Sequence, residues 1–132
     1  MPAADRPVVK PRPIYLNLFA IRQPIPAVVS ILHRISGALL FLAGIPALLW
    51  FVERTLASPE GFERAMGPLT TPFGKLVLLA LVWSYLYHLL AGLRHLALDV
   101  HAGIRLSPAR SSAAIVLVLS VLIAVILAVR LW

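Results

Sequence analysis

Two short stretches carry side chains able to do chemistry in a chain otherwise built of alkyl groups. In the first, Ser30, His33, Arg34 and Gly37 follow one another at helical spacing. At 3.6 residues per turn they share one broad face about two turns deep. A hydroxyl, an imidazole and a guanidinium placed together suit a ligand with carbonyl or carboxylate oxygens. In the second, Ser84, Tyr85, His88, Gly92, His95 and Asp99 form another helical face, with His88 flanked by leucine and tyrosine. An imidazole in apolar surroundings needs either a hydrogen-bond partner or a metal.

Each residue also has a plainer role open to it. Arg34, near the start of an apolar run, can snorkel to lipid headgroups. His88 can hydrogen-bond a neighbouring helix. His95 can meet a headgroup, an anionic ligand or the negative end of its own helix. Asp99 is expected near the surface without a chemical role, with Arg34, Arg94 or a partner as its pairing options.

The elements that must position these residues are set by composition. The 132-residue chain is 61% hydrophobic and 13% charged, with a mean hydropathy of +0.93, which leaves too little polar surface to cover a soluble domain. Three apolar runs, about 28–52, 73–98 and 113–131, each approach the ~20 residues needed to cross a hydrocarbon layer. Backbone groups in lipid must bond within their own segment, so the runs are expected to be helices. The expected architecture is an all-α integral membrane protein, with an N-terminal arm over 1–27 and a three-helix transmembrane unit over 28–132. Prolines cluster before and between the runs, except Pro46, which is expected to bend the first helix past its midpoint. That run follows an arm rich in proline and arginine, with no small-residue cleavage pattern after it. It is therefore expected to stay in the mature chain and not to leave as a signal peptide.

Twelve Lys and Arg against five Asp and Glu give a net charge of +7. These cations lie beside the apolar runs, which points to anionic lipid and acidic partner surfaces and away from nucleic acid. Their excess on the amino-terminal side favours a cytoplasmic amino terminus, in a multi-pass protein of the inner (cytoplasmic) membrane. There is no cysteine, so disulfides, thiolate metal sites and a cysteine nucleophile are excluded. Any metal needs imidazole, carboxylate or a cofactor's own donors.

With adjacent helices antiparallel, His95 is expected at the depth of His33 and Arg34, and His88 about two turns deeper. His88 and His95 stand about 10 Å apart along the helix axis, too far to flank one iron. A haem upright in the bundle would have its iron at His88 and its propionates toward Arg34, His33 and His95. Gly92, one turn from His88, would give the porphyrin plane clearance. A second axial ligand within this chain is not expected: His95 is excluded by spacing, His33 by depth, and His101 by lying past the helix end. A partner chain is its expected source. The third run is interrupted only by Ser120 and Arg130 and reads as packing and lipid contact.

The stretch from Arg12-Pro13-Ile14 through Pro24-Ile25 to Ser30-Ile31-Leu32-His33-Arg34-Ile35-Ser36, followed by His88-Leu89-Leu90-Ala91-Gly92-Leu93-Arg94-His95-Leu96-Ala97-Leu98-Asp99, resembles the cytochrome b556 family. These are the larger haem-b membrane anchors of succinate dehydrogenase, a succinate:quinone oxidoreductase. The resemblance covers essentially the whole chain; Leu98 departs from the methionine or aromatic residue usual in the family. It implies His88 as an axial ligand of haem b, with the other histidine supplied by a second, smaller anchor subunit. It implies Ser30 and Arg34 at the ubiquinone site, and His33, Arg34 and His95 around the haem propionates. The implied partners are that second anchor, an iron–sulfur subunit carrying the clusters and a flavoprotein subunit carrying FAD, so this chain catalyses nothing alone. The rival readings are the anchor of a menaquinone-linked fumarate reductase and a cofactor-free structural membrane protein.

Overall fold

The computed structural model describes Asn17 and residues 20–132, so most of the expected arm lies outside the described residues. The regular structure described is helical: α1 (Ile25–Leu39), a π-helical turn (Leu40–Gly44), α2 (Ile45–Ala57), α3 (Pro59–Thr70), α4 (Pro72–Asp99) and α5 (Leu106–Leu131). Three continuous spans, of 33 residues (Ile25–Ala57), 28 residues (Pro72–Asp99) and 26 residues (Leu106–Leu131), are long and apolar enough to cross a membrane. At 1.5 Å per residue each outreaches a hydrocarbon layer of about 30 Å, so the helices extend past the apolar runs into the headgroup zone. The protein is an all-α, multi-pass membrane protein.

Pro46 leaves its mark one turn before itself. It offers no N–H to the carbonyl of Leu42, and its ring crowds that carbonyl. The helix widens there: the N–H of Ile45 donates to the carbonyl of Leu40, five residues back. Beyond this turn α2 packs on α3 but on neither α4 nor α5. The first span thus leaves the bundle past its midpoint.

The short helix α3 is absent from the sequence expectation, which placed Pro68 between helices; Pro68 lies inside α3. Both α3 and α4 begin with the same device, Ser58-Pro59-Glu60-Gly61 and Thr71-Pro72-Phe73-Gly74. The Ser58 hydroxyl accepts from Gly61 N–H, and the Thr71 hydroxyl from Gly74 N–H, each at 3.0 Å. Proline at the first helical position loses nothing there, because that N–H has no partner within the helix. Thr71 also donates to the carbonyl of Pro68 at 2.7 Å, so one residue ends α3 and starts α4. Glycine is required at the third position: a Cβ on Gly61 would overlap the carbonyl of Arg54, and one on Gly74 that of Pro68. Its own backbone N–H and the Ser58 hydroxyl hold the Glu60 carboxyl below the usual carboxylate range, as suits an acid in a first helical turn.

The turn after α4 is a Schellman motif. The N–H of Ala102 donates to the carbonyl of Ala97 and that of His101 to Leu98, each at 2.9 Å. The motif needs a left-handed residue, and His101 fills that place at φ 62°. Arg94 then fastens α4 to α5: Nε donates to the Ser112 hydroxyl and Nη2 to the carbonyl of Ala109, both at 3.0 Å. At the other end, Lys75 Nζ donates to the carbonyl of Leu131 at 2.7 Å and lies over the Trp132 ring.

The tightest packing surrounds the carboxyl-terminal half of α4, where Tyr87 and Ala91 meet Val29 of α1 and Ala113 and Val116 of α5. The buried Tyr87 hydroxyl donates to the carbonyl of Val29 at 2.9 Å, a bond of high value where no water competes. This junction fixes the register of α1 on α4, and with it the placement of the histidines.

Candidate functional site

Antiparallel packing of α1 and α4 sets residues 33–37 against residues 88–95. Three imidazoles meet there. The His33 and His88 rings stack with centroids 4.0 Å apart and planes 14° from parallel, and the His95 ring lies 5.0 Å from His33, tilted by 48°. The expected two-turn depth offset between His33 and His88 is therefore corrected: the His33 ring lies between those of His88 and His95, stacked on the first and close to the second. The reason is register, which the Tyr87–Val29 bond sets and hydropathy does not encode.

His88 is held from the α1 backbone. Its Nδ1 lies 3.0 Å from the carbonyl oxygen of His33 and 3.2 Å from the Ser36 hydroxyl, and that hydroxyl donates to the same carbonyl at 2.9 Å. A carbonyl oxygen can only accept, so Nδ1 carries the proton and donates. In the neutral ring the lone pair is then on Nε2, which has no hydrogen-bond partner among the described residues. Of the two uses of the imidazole foreseen from sequence, the hydrogen bond to a neighbouring helix is made by one nitrogen, and the other nitrogen has no hydrogen-bond partner among the described residues.

Gly37 supplies the clearance at this ring. A Cβ there would lie 2.8 Å from His88 Cε1, whereas a Cβ on Gly92 would meet only His33 Nε2, at an ordinary 3.5 Å. Gly92 faces the His33 ring, so Gly37 and Ser36 are the neighbours of His88 that sequence reasoning missed. The signal was present as a Ser-Gly pair three and four residues after His33, on the same helical face.

Ser30 and Arg34 lie on α1, half-buried and exposed respectively. Buried serines in apolar helices close their hydroxyls on a carbonyl of the preceding turn, as Ser36, Ser84 and Ser120 do here. Ser30 does not, and neither Ser30 nor Arg34 has a hydrogen-bond or ion-pair partner among the described residues. Both are available donors one turn apart. Asp99 is exposed and makes no ion pair among the described residues, while Arg94, one of its foreseen partners, is 7% exposed and committed to α5.

The donor set constrains what metal could be held. Among the described residues no three His, Asp or Glu side chains converge as a metal site. His33 cannot face His88 across one iron in this arrangement, because rings stacked 4.0 Å apart direct their in-plane lone pairs side by side and not at one metal. A single free imidazole nitrogen fits a metal that brings its equatorial donors with it, as a macrocycle does.

Sequence comparison identifies the family of the chain. Residues 9–127 match the succinate dehydrogenase/fumarate reductase transmembrane subunit family. Among individual relatives, the succinate dehydrogenase cytochrome b556 subunit of Paracoccus denitrificans is 36% identical over 115 residues, covering 87% of this chain and 88% of that protein. The protein of the same name from Coxiella burnetii is 36% identical over 122 residues, covering 92% and 97%. That of Rickettsia prowazekii is 28% identical over 116 residues, covering 88% and 90%. With nearly its whole length matched and its three spans in place, the chain belongs to the succinate dehydrogenase/fumarate reductase family of transmembrane anchor subunits.

Proposed function

We propose that this chain is the anchor subunit of a succinate dehydrogenase that gives one axial ligand to a haem b shared with a second anchor subunit and lines a ubiquinone-reduction site. The observation that carries the proposal is the protonated Nδ1 of His88, fixed on the His33 carbonyl, which leaves Nε2 as a free ligand. A haem b bound there supplies a one-electron carrier. His88 would hold the iron through Nε2, His33, Arg34 and His95 would offset the propionate charge, and Gly92 would leave room for the porphyrin.

At the quinone site Ser30 donates to a carbonyl oxygen, and Arg34 stabilises the negative charge that builds on the ring oxygens during reduction. The free state of both donors supports this role. The smaller anchor subunit would supply the second histidine. Electrons come from succinate through the FAD of a flavoprotein subunit and the clusters of an iron–sulfur subunit. In this reading the first span enters the inner membrane from the cytoplasmic side, and the quinone site lies at that edge. The names of the relatives favour succinate oxidation over fumarate reduction.

Purification of the complex from detergent-solubilised membranes tests the proposal. The expected result is co-purification of three further subunits, a reduced b-type spectrum and succinate-dependent ubiquinone reduction. Isolation of the chain without partners or haem would overturn it. Fumarate reduction from menaquinol, without succinate–ubiquinone activity, would assign it to the opposite direction.

A further inference from the structure

We infer that Ser36 and Gly37 form a seat that aims the His88 ring, which makes them positioning residues for the haem ligand; the inference rests on the haem reading above. Two acceptors lie within reach of the His88 Nδ1–H, the His33 carbonyl at 3.0 Å and the Ser36 hydroxyl at 3.2 Å. Because Ser36 spends its own proton on that carbonyl, at 2.9 Å, a lone pair of its oxygen is left for the imidazole. The three groups close a triangle, and rotation of the ring would break both of its contacts to α1 at once. Ser36 is 4% exposed, so no solvent replaces what is lost.

Gly37 acts on the Cε1 corner of the ring, between its two nitrogens. A Cβ at this position would lie 2.8 Å from Cε1, 3.3 Å from Nδ1 and 3.8 Å from Nε2. Even alanine therefore forces the ring to tilt and redirects the Nε2 lone pair. A hydrogen bond to the non-ligating nitrogen fixes the tautomer and raises ligand basicity, which favours the ferric state. The seat thus sets both the direction of the ligand and its donor strength, from two adjacent residues of α1.

The test uses the purified complex carrying Ser36→Ala, Gly37→Ala or His88→Ala, with Gly67→Ala as control because a Cβ at Gly67 meets nothing within 4 Å. Haem per complex, the haem midpoint potential and the low-spin electron paramagnetic resonance g values are read. Ser36→Ala is expected to keep its haem but shift the ferric–ferrous equilibrium about threefold toward ferrous, or ~28 mV upward for a one-electron couple. Gly37→Ala is expected to lose haem severalfold while retaining its partner subunits, and Gly67→Ala to match wild type. If Gly37→Ala does not assemble, the Ser36→Ala potential decides. Unchanged or lowered potential with unchanged g values in Ser36→Ala overturns the seat, as does wild-type haem content and spectrum in an assembled Gly37→Ala. Loss of haem in His88→Ala with wild-type behaviour in both seat variants overturns the seat alone. Haem retained in His88→Ala overturns the haem reading itself.

Discussion

The carbonyl oxygen of His33 and the Nδ1 of His88 lie 3.0 Å apart, while the rings of the same two residues stack at 4.0 Å. His33 therefore acts on His88 in two separable ways, through its backbone and through its side chain. His33→Ala keeps the carbonyl and removes only the ring. It is expected to retain most of the haem with a weakened hold on the propionates, read as faster haem loss from the detergent-purified complex. Haem loss as complete as that of a His88 variant would show that the side chain, and not the carbonyl, fixes the ligand.

Ser30 and Arg34 are free donors one turn apart on α1. Replacing either with alanine is expected to lower succinate–ubiquinone kcat/KM about tenfold or more, on the scale of losing one preorganised donor to a developing oxyanion. Succinate oxidation with an artificial acceptor should hold, since the proposed function puts flavin chemistry in a partner. An equal fall in both activities would mean failed assembly and no site defect.

Arg94 gives its charge to structure. Its two donor bonds to Ser112 and Ala109 tie α4 to the first turns of α5. Arg94→Ala is expected to cost about 2–4 kcal/mol, from bonds to a charged donor worth ~1.5–3 kcal/mol each with partial relaxation, seen as a lower thermal midpoint. Arg94→Lys should recover part of the loss, because one ammonium cannot serve both acceptors in the same fork. A midpoint unchanged in Arg94→Ala would contradict the role.

His101 occupies a left-handed position at φ 62° that favours glycine. His101→Gly is expected to stabilise the α4–α5 turn by about 1 kcal/mol, partly offset by the entropy glycine adds to the unfolded chain. The readout is a small rise in thermal midpoint with unchanged haem content. A fall would mean that the imidazole has contacts that outweigh the backbone strain.

The three spans were legible because hydrocarbon length and backbone satisfaction leave few alternatives for runs as apolar as 28–52, 73–98 and 113–131. The short helix α3 was not, because it is too short and too polar for a hydropathy signal, and Pro68 reads as a breaker although it sits in the last turns of a helix. Its start signal, Ser58-Pro59 with Gly61, is local and could have been read. For the site, periodicity placed Ser30, His33 and Arg34 on one face and His88, Gly92 and His95 on another. What it lacked was the register between α1 and α4, which rests on a tertiary bond between Tyr87 and Val29. That gap produced the misplaced depth of His33 and passed over Ser36 and Gly37 as the neighbours of the His88 ring.

The haem content of the assembled complex carrying His88→Ala is the most direct measurement, taken as the reduced-minus-oxidised visible spectrum and extracted haem per flavoprotein. The account predicts a b-type spectrum in wild type and its loss in the variant, with the partner subunits still bound. A variant that keeps wild-type haem and spectrum would contradict the assignment of His88 as the ligand.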